Sequence, residues 1–527
     1  MRRAIRDVRE ERVAWKRWVV RVHMYLGVAL AFLFVMWFAS GMVLAYNPYP
    51  AITPDERLLL LPRLDCTACT VSVDDALAVA GMHVAPLSRS AARLGMLGTR
   101  PVWRLTDGAR RVHAVFADTA MAVPPLDSTS GADVAVAVGR ARSDPGASQP
   151  AARYVRTLVV ADQWTLEQPL PSQLPLLEFE LADEAATHVY VSVNGAEAVT
   201  ATTRRGRVMA WLGAIPHWLY PALLRRHVRA WSWLVIVIAA LGTIMSLAGV
   251  AIGVWQWRVG VRRVRRDGSL RDRSPYRDPM MRWHHLLGLT FGVFTCTWMF
   301  SGMLSVNPGD WSPGTVPPRA MQERWMGSES LNPPVAGPRT AWKAAVADGL
   351  DVRELLPAQF DGKRYWLARE ANGGGALISV GEPPAARVLL RVDDLVTRAD
   401  VAMEGAPRAR TDVLLDYDDH YRETEGRTPV LPALRIRYED AGRTWVYVDP
   451  ETATLLATIP SRTRVERWLY TGLHDLDFAF LMSHRPLWDA AVLALSLGGL
   501  LSSLAGAVLT VRWLRERTGR GRHFRRR

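Results

Sequence analysis

The chain has 527 residues, 49% of them hydrophobic, and a formal charge of +14. Its length would fit three or four soluble domains. However, four stretches stay apolar for longer than the roughly 20 residues that cross a hydrocarbon core, which excludes a purely soluble protein. The basic excess is just as uneven: Met1–Arg21, Arg258–Arg282 and Arg512–Arg527 hold 25 Lys or Arg against 7 Asp or Glu. Short loops rich in Lys and Arg stay on the cytoplasmic side of a membrane. That orientation accounts for the clusters without a nucleic-acid partner, although a tail such as Arg520–Arg527 has the composition to bind phosphate.

In chain order, the sequence predicts a cytoplasmic N-terminus over residues 1–21 and a first span over 22–46. An outer segment (47–228), a second span (229–257) and a basic cytoplasmic loop (258–283) follow. A third span (284–306), a second outer segment (307–486), a fourth span (487–511) and a basic cytoplasmic tail (512–527) complete it. The start is too charged and the first span too long for a cleaved signal peptide, so that helix is expected to stay as an anchor. In the first outer segment, Cys66 and Cys69 form a C-T-A-C pair that reads as a local disulfide. Thr70 rather than His follows it, which rules out c-type haem attachment. Cys296, inside the third span, reads as a small apolar filler. Ser128–Pro150 is rich in Gly, Ala, Ser and Asp and reads as a mobile loop. His188–Val193 alternates apolar and polar residues and turns at Asn194-Gly195, a two-residue hairpin signal. The equivalent Trp445–Val448 turns at Asp449-Pro450. Arg207–His227 and Arg464–His484 carry Trp211, Trp218, Tyr220, Trp468 and Tyr470, so they read as helical lead-ins at the outer membrane interface.

The sequence also repeats itself. Arg21-Val-His-Met-Tyr-Leu-Gly27 aligns with Arg282-Trp-His-His-Leu-Leu-Gly288, Trp37 with Trp298, and Ser40-Gly41-Met42 with Ser301-Gly302-Met303. A second block matches Val189-Tyr190-Val191 to Val446-Tyr447-Val448, His217 to His474, His227 to His484, and Ser246-Leu-Ala-Gly249 to Ser503-Leu-Ala-Gly506. Each half has an even number of spans, so both insert the same way up. The expected fold is an α-helical membrane protein of four transmembrane helices in two parallel tandem repeats, with two periplasmic α+β domains. Matched side chains can then meet at a pseudo-twofold axis along the membrane normal.

That symmetry makes the histidines informative. His23 and His284 lie at the inner start of the first and third spans. His217 with His474, and His227 with His484, lie at the outer approach to the second and fourth. Ionisable side chains at a bilayer tend to face the bundle interior and mark function. Two neutral imidazoles from opposing helices are what a b-type haem iron takes as axial ligands. Gly27, Gly41, Gly249, Gly288, Gly302 and Gly506 would permit the close approach that such a slot needs. Zinc prefers four ligands, and a proton relay would be joined by carboxylates that the apolar spans lack. Two haem b sites follow: an inner one on His23 and His284, with His285 as the alternative to its neighbour, and an outer one on either of the other pairs. A span of 22 residues rises about 33 Å, so the two sites would sit well within that distance of each other.

The stretches "RVHMYLGVALAFLFVMWFASGMV", "AWLGAIPHWLYPALLRRH", "RWHHLLGLTFGVFTCTWMFSGMLSVNP" and "LYTGLHDLDFAFLMSHRPLWD" resemble the PepSY-associated transmembrane-helix proteins, also called iron-regulated membrane proteins. The resemblance implies PepSY-like outer modules, two haems and reduction of ferric siderophores on the periplasmic face of a bacterial inner membrane. The family's histidines fall on His23, His284, His217 and His474, which favours 217/474 over 227/484 for the outer haem. No flavin- or nicotinamide-binding segment accompanies them, so a membrane quinol or a separate cytoplasmic reductase would donate the electrons. Asp162, Trp164, Asp419 and Tyr421, paired ahead of the hairpins, are the candidate contacts for the ferric chelate in a cleft between the outer domains. The alternative is a periplasmic binding or regulatory membrane protein without redox activity. A chelate transporter fits least, because no span is broken and none carries a carboxylate.

Overall fold

The computed structural model describes residues 2–83, 91–143, 148–167, 169–257, 274–328, 337–379, 387–422 and 428–524, with side chains described from residue 14 to 518. Much of the basic loop 258–283 therefore lies outside the described residues, as does the end of the basic tail. The chain divides into two units. One comprises Met1–Tyr49, Met209–Ser312 and Val465–Arg527; the other comprises Pro50–Val208 and Pro313–Arg464.

The first unit is a helical bundle. Helices over Arg2–Leu44, Val228–Gln256, Pro279–Leu304 and Arg485–Phe524 contain the four predicted spans. Each has an apolar window long enough to cross a membrane, and these windows are between 6% and 33% buried within the protein. Apolar surface left uncovered on that scale, including Leu234, Ile244, Leu247, Phe294, Leu497 and Leu501, requires a lipid solvent. The third span starts where sequence chemistry dictates. Asp278 caps it by accepting from Met281 N–H at 2.9 Å, and Pro279 takes the first helical position. Around the bundle, the first span packs on the second, the second on the third, the third on the fourth and the fourth on the first. Leu30, Phe34, Trp37 and Phe38 form the buried centre with Met245, Trp298 and Met299. Gly499 faces Phe38 and Gly242 faces Phe34, so closely that an added Cβ would come within 2.2 and 3.1 Å of the rings. Glycine lets the helices approach there.

The second unit is α+β. Its strands are β1 (Ala92–Leu97), β2 (Arg100–Thr106), β3 (Val112–Phe116), β4 (Ala152–Leu158), β5 (Leu176–Leu181), β6 (His188–Ser192), β7 (Glu197–Thr202), β8 (Val352–Phe360), β9 (Lys363–Glu370), β10 (Gly375–Ser379), β11 (Arg387–Val388), β12 (Arg408–Leu414), β13 (Ala433–Tyr438), β14 (Trp445–Val448) and β15 (Leu455–Ile459). They form four-stranded sheets β4-β5-β6-β7 and β12-β13-β14-β15, and a seven-stranded sheet β11-β10-β9-β8-β1-β2-β3. The seven-stranded sheet corrects the expectation of two separate outer domains. Strands from both segments join at the β1–β8 edge, where Leu94 pairs with Leu355. Trp103 and Trp366 meet in the shared core, 5.9 Å apart, with Cys66 and Cys69 buried beside them as a disulfide. An edge strand exposes unpaired backbone groups; joining the two edges satisfies both, which no local sequence pattern announces.

Two smaller expectations also change. Ser128–Arg142 is a helix closed by an Asp127/Ser130 capping box, not a loop. Its glycines and alanines serve close packing: an added Cβ at Gly131 would lie 2.6 Å from Leu177, and one at Gly139 2.8 Å from Leu181. The hairpin after β6 is longer than two residues, and its left-handed position falls on Ala196, matched by Ala453 after β14.

Charges seal the join. Glu354 on β8, 2% exposed, takes a two-pronged bond from Arg57 at 2.7 and 2.6 Å, and Arg93 on β1 spans Glu354 and Glu197. Burial alone would raise the Glu354 carboxyl, but the bonds from Arg57 and the fields of Arg93 and Arg104 outweigh it and hold it at about 2. A depressed carboxylate adds stability that is complete above its unfolded pKa and is lost as pH falls toward the folded value. The unit should therefore weaken between about pH 4.5 and 2. Glu354→Gln, which leaves the guanidiniums uncompensated, should destabilise it by about 3–5 kcal/mol. Denaturant melts of the two proteins at neutral pH check this; equal midpoints would show that the network contributes nothing.

Candidate functional site

In the bundle, sequence-matched histidines come together as two separate pairs. His23 and His284 have ring centres 6.0 Å apart, and His217 and His474 have ring centres 6.1 Å apart. His23 and Gly41, on which His217 packs, lie on one helix at a sequence distance worth about 27 Å of rise; His284 and Gly302 repeat that spacing.

Each ring is anchored through Nδ1. His23 donates to the Met245 carbonyl at 2.9 Å, and His284 donates to the Ser502 carbonyl at 3.1 Å. His217 donates to the Trp37 carbonyl at 3.1 Å, and His474 Nδ1 lies 3.0 Å from Ser301 Oγ. A neutral imidazole with its proton held on Nδ1 keeps the lone pair on Nε2, the tautomer required of a metal ligand. Burial, with His474 adding to it for His217, brings both members of the 217/474 pair down to about 4, so these rings are neutral at physiological pH.

Each ring also rests on a glycine of another element. An added Cβ at Gly249 would come within 2.7 Å of His23, and at Gly506 within 3.3 Å of His284. At Gly41 it would come within 3.0 Å of His217, and at Gly302 within 3.3 Å of His474. One turn beyond His284, a Cβ at Gly288 would meet open space, and at Gly27 only Met245 Sδ at 3.9 Å. The backbone that delivers the 217/474 pair is strained alike on both sides: Leu219 and Leu476, two residues on, both take left-handed φ of 52°. A leucine costs about 1–2 kcal/mol there, and such strain gathers at functional sites. At the first, Tyr220 N–H closes onto the Ile215 carbonyl at 2.8 Å, so the helix ends directly behind its histidine.

These pairs fit axial ligation of haem. Two imidazoles bound to one iron through single nitrogens at about 2.0–2.1 Å have ring centres about 6 Å apart. The alternative ligands fit less well. His285 is buried with both nitrogens engaged, 3.0 Å from Ser274 Oγ and 3.1 Å from the Gly253 carbonyl, and its ring packs on Tyr276 and Trp257. It fastens the start of the third span to the second. His227 caps the second span and is exposed; His484, also exposed, bonds Ser483 and the Phe480 carbonyl.

The predicted chelate contacts are placed in the two four-stranded sheets. Asp162 receives Trp164 N–H and Thr165 Oγ and pairs with Arg156. In the second sheet that position belongs to Asp418, not Asp419: Asp418 receives the N–H groups of His420 and Tyr421 and pairs with Arg435. The register slips by one because β4 and β12 match one residue out of step with the hairpins. Tyr421 stacks on Tyr447 at 4.8 Å, and Trp164 packs with Leu158, Leu176 and Tyr190, so both are core residues of their sheets. Sequence reading missed Ser40 and Ser301 as the hydroxyls beside His217 and His474, although both stood in the repeated Ser-Gly-Met.

A bundle of four lipid-facing helices with two internal imidazole pairs defines a multi-pass membrane protein. Residues 281–527 match the family model of the PepSY-associated TM region, so this part of the chain is similar to that family. The match covers the third and fourth spans and the second β segment, including His284 and His474. No curated protein matches the chain.

His285→Ala should lower the stability of the bundle by about 1–3 kcal/mol, because it strands a buried hydroxyl and a buried carbonyl. Thermal unfolding in detergent checks this. Loss of ligand-type behaviour with no loss of stability would contradict the anchoring role.

Proposed function

We propose that this protein is a haem-dependent membrane oxidoreductase of a bacterial inner membrane, carrying electrons outward to reduce a periplasmic ferric siderophore or other ferric chelate. The match of residues 281–527 to the PepSY-associated TM family supports the coarser part, a membrane protein of the iron-regulated type. The observation that carries the finer part is the pair of 6 Å imidazole couples, each with Nδ1 held and each seated on glycine.

His23 with His284, and His217 with His474, would hold one haem b each, and the bound haem would supply reversible one-electron Fe(III)/Fe(II) chemistry. The chain's own residues do the rest. Met245, Ser502, Trp37 and Ser301 orient the rings. Gly249, Gly506, Gly41 and Gly302 let them sit deep between helices. Phe34, Trp37, Phe38 and Trp298 fill the space between the couples with apolar side chains and exclude water. The basic flanks of the spans set the termini in the cytoplasm. Reduction loosens a ferric chelate because hard oxygen ligands hold Fe(II) less firmly than Fe(III), which releases iron for uptake. A quinol or a cytoplasmic reductase is the source of electrons.

The test is an absorption spectrum of the detergent-purified protein before and after dithionite. A Soret band that sharpens with α and β bands is expected. His23→Ala or His284→Ala should remove about half of the haem and His217→Ala or His474→Ala the other half, each pair supplying one site. Gly249→Leu should act like His23→Ala by displacing its ring. A colourless protein would overturn the proposal in favour of a periplasmic binding or regulatory role, and four variants with full spectra would overturn the ligand assignment.

A further inference from the structure

The stretch that leads into the second span is cationic in a way that its repeat is not. Residues 198–232 carry six Arg and no Asp or Glu, and no carboxylate occurs between Glu197 and Asp267. One repeat period on, residues 455–489 carry four Arg and four carboxylates. There the charges meet: Arg485 pairs with Asp489 at 3.3 Å and Arg467 with Asp477 at 3.5 Å. Among the described residues, no ion pair joins a carboxylate to Arg225 or Arg229.

Membrane topology does not account for this surplus. Lys and Arg hold a flank on the cytoplasmic side, but the second span carries them at both ends. Arg225, Arg226 and Arg229 precede Trp231, and Arg258, Arg262 and Arg263 follow Trp257. Only one end can face the cytoplasm, so the arginines at the start of the span answer to a different partner.

The structure shapes that end. Tyr49, Trp218, Tyr220 and Trp231 form a chain of rings with centres 5.7 to 6.0 Å apart, tied by Trp231 Nε1 donating to the Trp218 carbonyl at 3.0 Å. Arg225 lies over two of them, its guanidinium 5.0 Å from the Tyr220 ring and 4.7 Å from the Trp231 ring. Stacking of this kind fixes the plane of the guanidinium. Its Nε is buried without a hydrogen-bond partner among the described residues, and a buried donor is costly to leave unmade. Arg226 and Arg229 are exposed beside it. They flank the first turn of the second span, whose N-cap His227 makes no side-chain cap, so the positive end of a 29-residue helix adds to their field. The same segment exposes Leu223 (81%) and Trp233 (66%). Guanidiniums beside exposed apolar groups suit a molecule that is anionic at one end and hydrocarbon at the other.

We propose that residues 221–233 bind an anionic glycerophospholipid, with its phosphate on Arg225 and Arg229 and its acyl chains against Leu223 and Trp233. Guanidinium presents paired N–H donors that match two phosphate oxygens, and basic residues at a lipid surface favour anionic headgroups. Free phosphate would satisfy the guanidiniums but leave Leu223 and Trp233 uncovered. The site stands on its own geometry, whatever the histidine couples hold.

The test is native mass spectrometry of the full-length protein, released from detergent after addition of phosphatidylglycerol, phosphatidylcholine or inorganic phosphate. Wild type should retain phosphatidylglycerol at least about tenfold more tightly than phosphatidylcholine, and an excess of inorganic phosphate should not displace it. Arg225→Gln/Arg229→Gln should retain one phosphatidylglycerol fewer per chain. Lipid held by the basic clusters at the other end of the spans is common to both proteins and cancels in the comparison. Because Arg229 is exposed, Arg229→Glu tests the site even if the double variant fails to fold. Equal retention of the two lipids, displacement by phosphate, or Arg229→Glu protein that retains as much phosphatidylglycerol as wild type would overturn the site and leave the proposed electron-carrying role untouched.

Discussion

An imidazole seated on a glycine, with its Nδ1 proton given to a neighbouring backbone carbonyl or hydroxyl, is the contact on which this bundle turns. It occurs four times, at His23 on Gly249, His284 on Gly506, His217 on Gly41 and His474 on Gly302. Within an apolar bundle an unanchored imidazole would leave polar nitrogens without partners, at a cost of several kcal/mol. Anchoring one nitrogen fixes the ring plane, and the absence of the opposing Cβ lets the two rings of each pair approach to about 6 Å. The helices pack around these contacts: the first span meets the second through His23, and the third meets the fourth through His284.

The β-rich unit shows what joining two similar halves in one chain makes possible. Where β1 meets β8, Arg93 precedes Leu94 and Glu354 precedes Leu355, the residues that pair across the join. Two identical edges would bring like charges together there. Divergent halves bring opposite ones, and the buried pairing holds the sheet closed. The same inversion recurs away from the join. Arg156 pairs with Glu178 across β4 and β5, whereas Asp412 pairs with Arg435 across β12 and β13. The two sheets thus carry cross-strand ion pairs of opposite polarity at matching positions.

Much of this was legible in the sequence, for identifiable reasons. The four spans were visible because lipid demands long uninterrupted apolar runs. The histidine couples were visible because the repeat turned single residues into matched ones. What stayed hidden depended on contacts between distant segments. The shared seven-stranded sheet arises from edge pairing that leaves no local trace. The helix at Ser128–Arg142 looked like a loop because its glycines and alanines answer to the sheet beneath it, not to helix propensity. Asp418 was displaced to Asp419 by a one-residue slip, and His285 could be separated from His284 only by seeing both of its nitrogens bonded.

Under the function we propose, each histidine couple clasps one iron porphyrin. Low-temperature electron paramagnetic resonance of the oxidised, purified protein addresses it most directly. Two haems held by the couples would give low-spin ferric signals of bis-imidazole haem from two centres per chain, one of them vanishing when His474 is replaced. A protein with no low-spin ferric signal, or with a single centre indifferent to both couples, would contradict it.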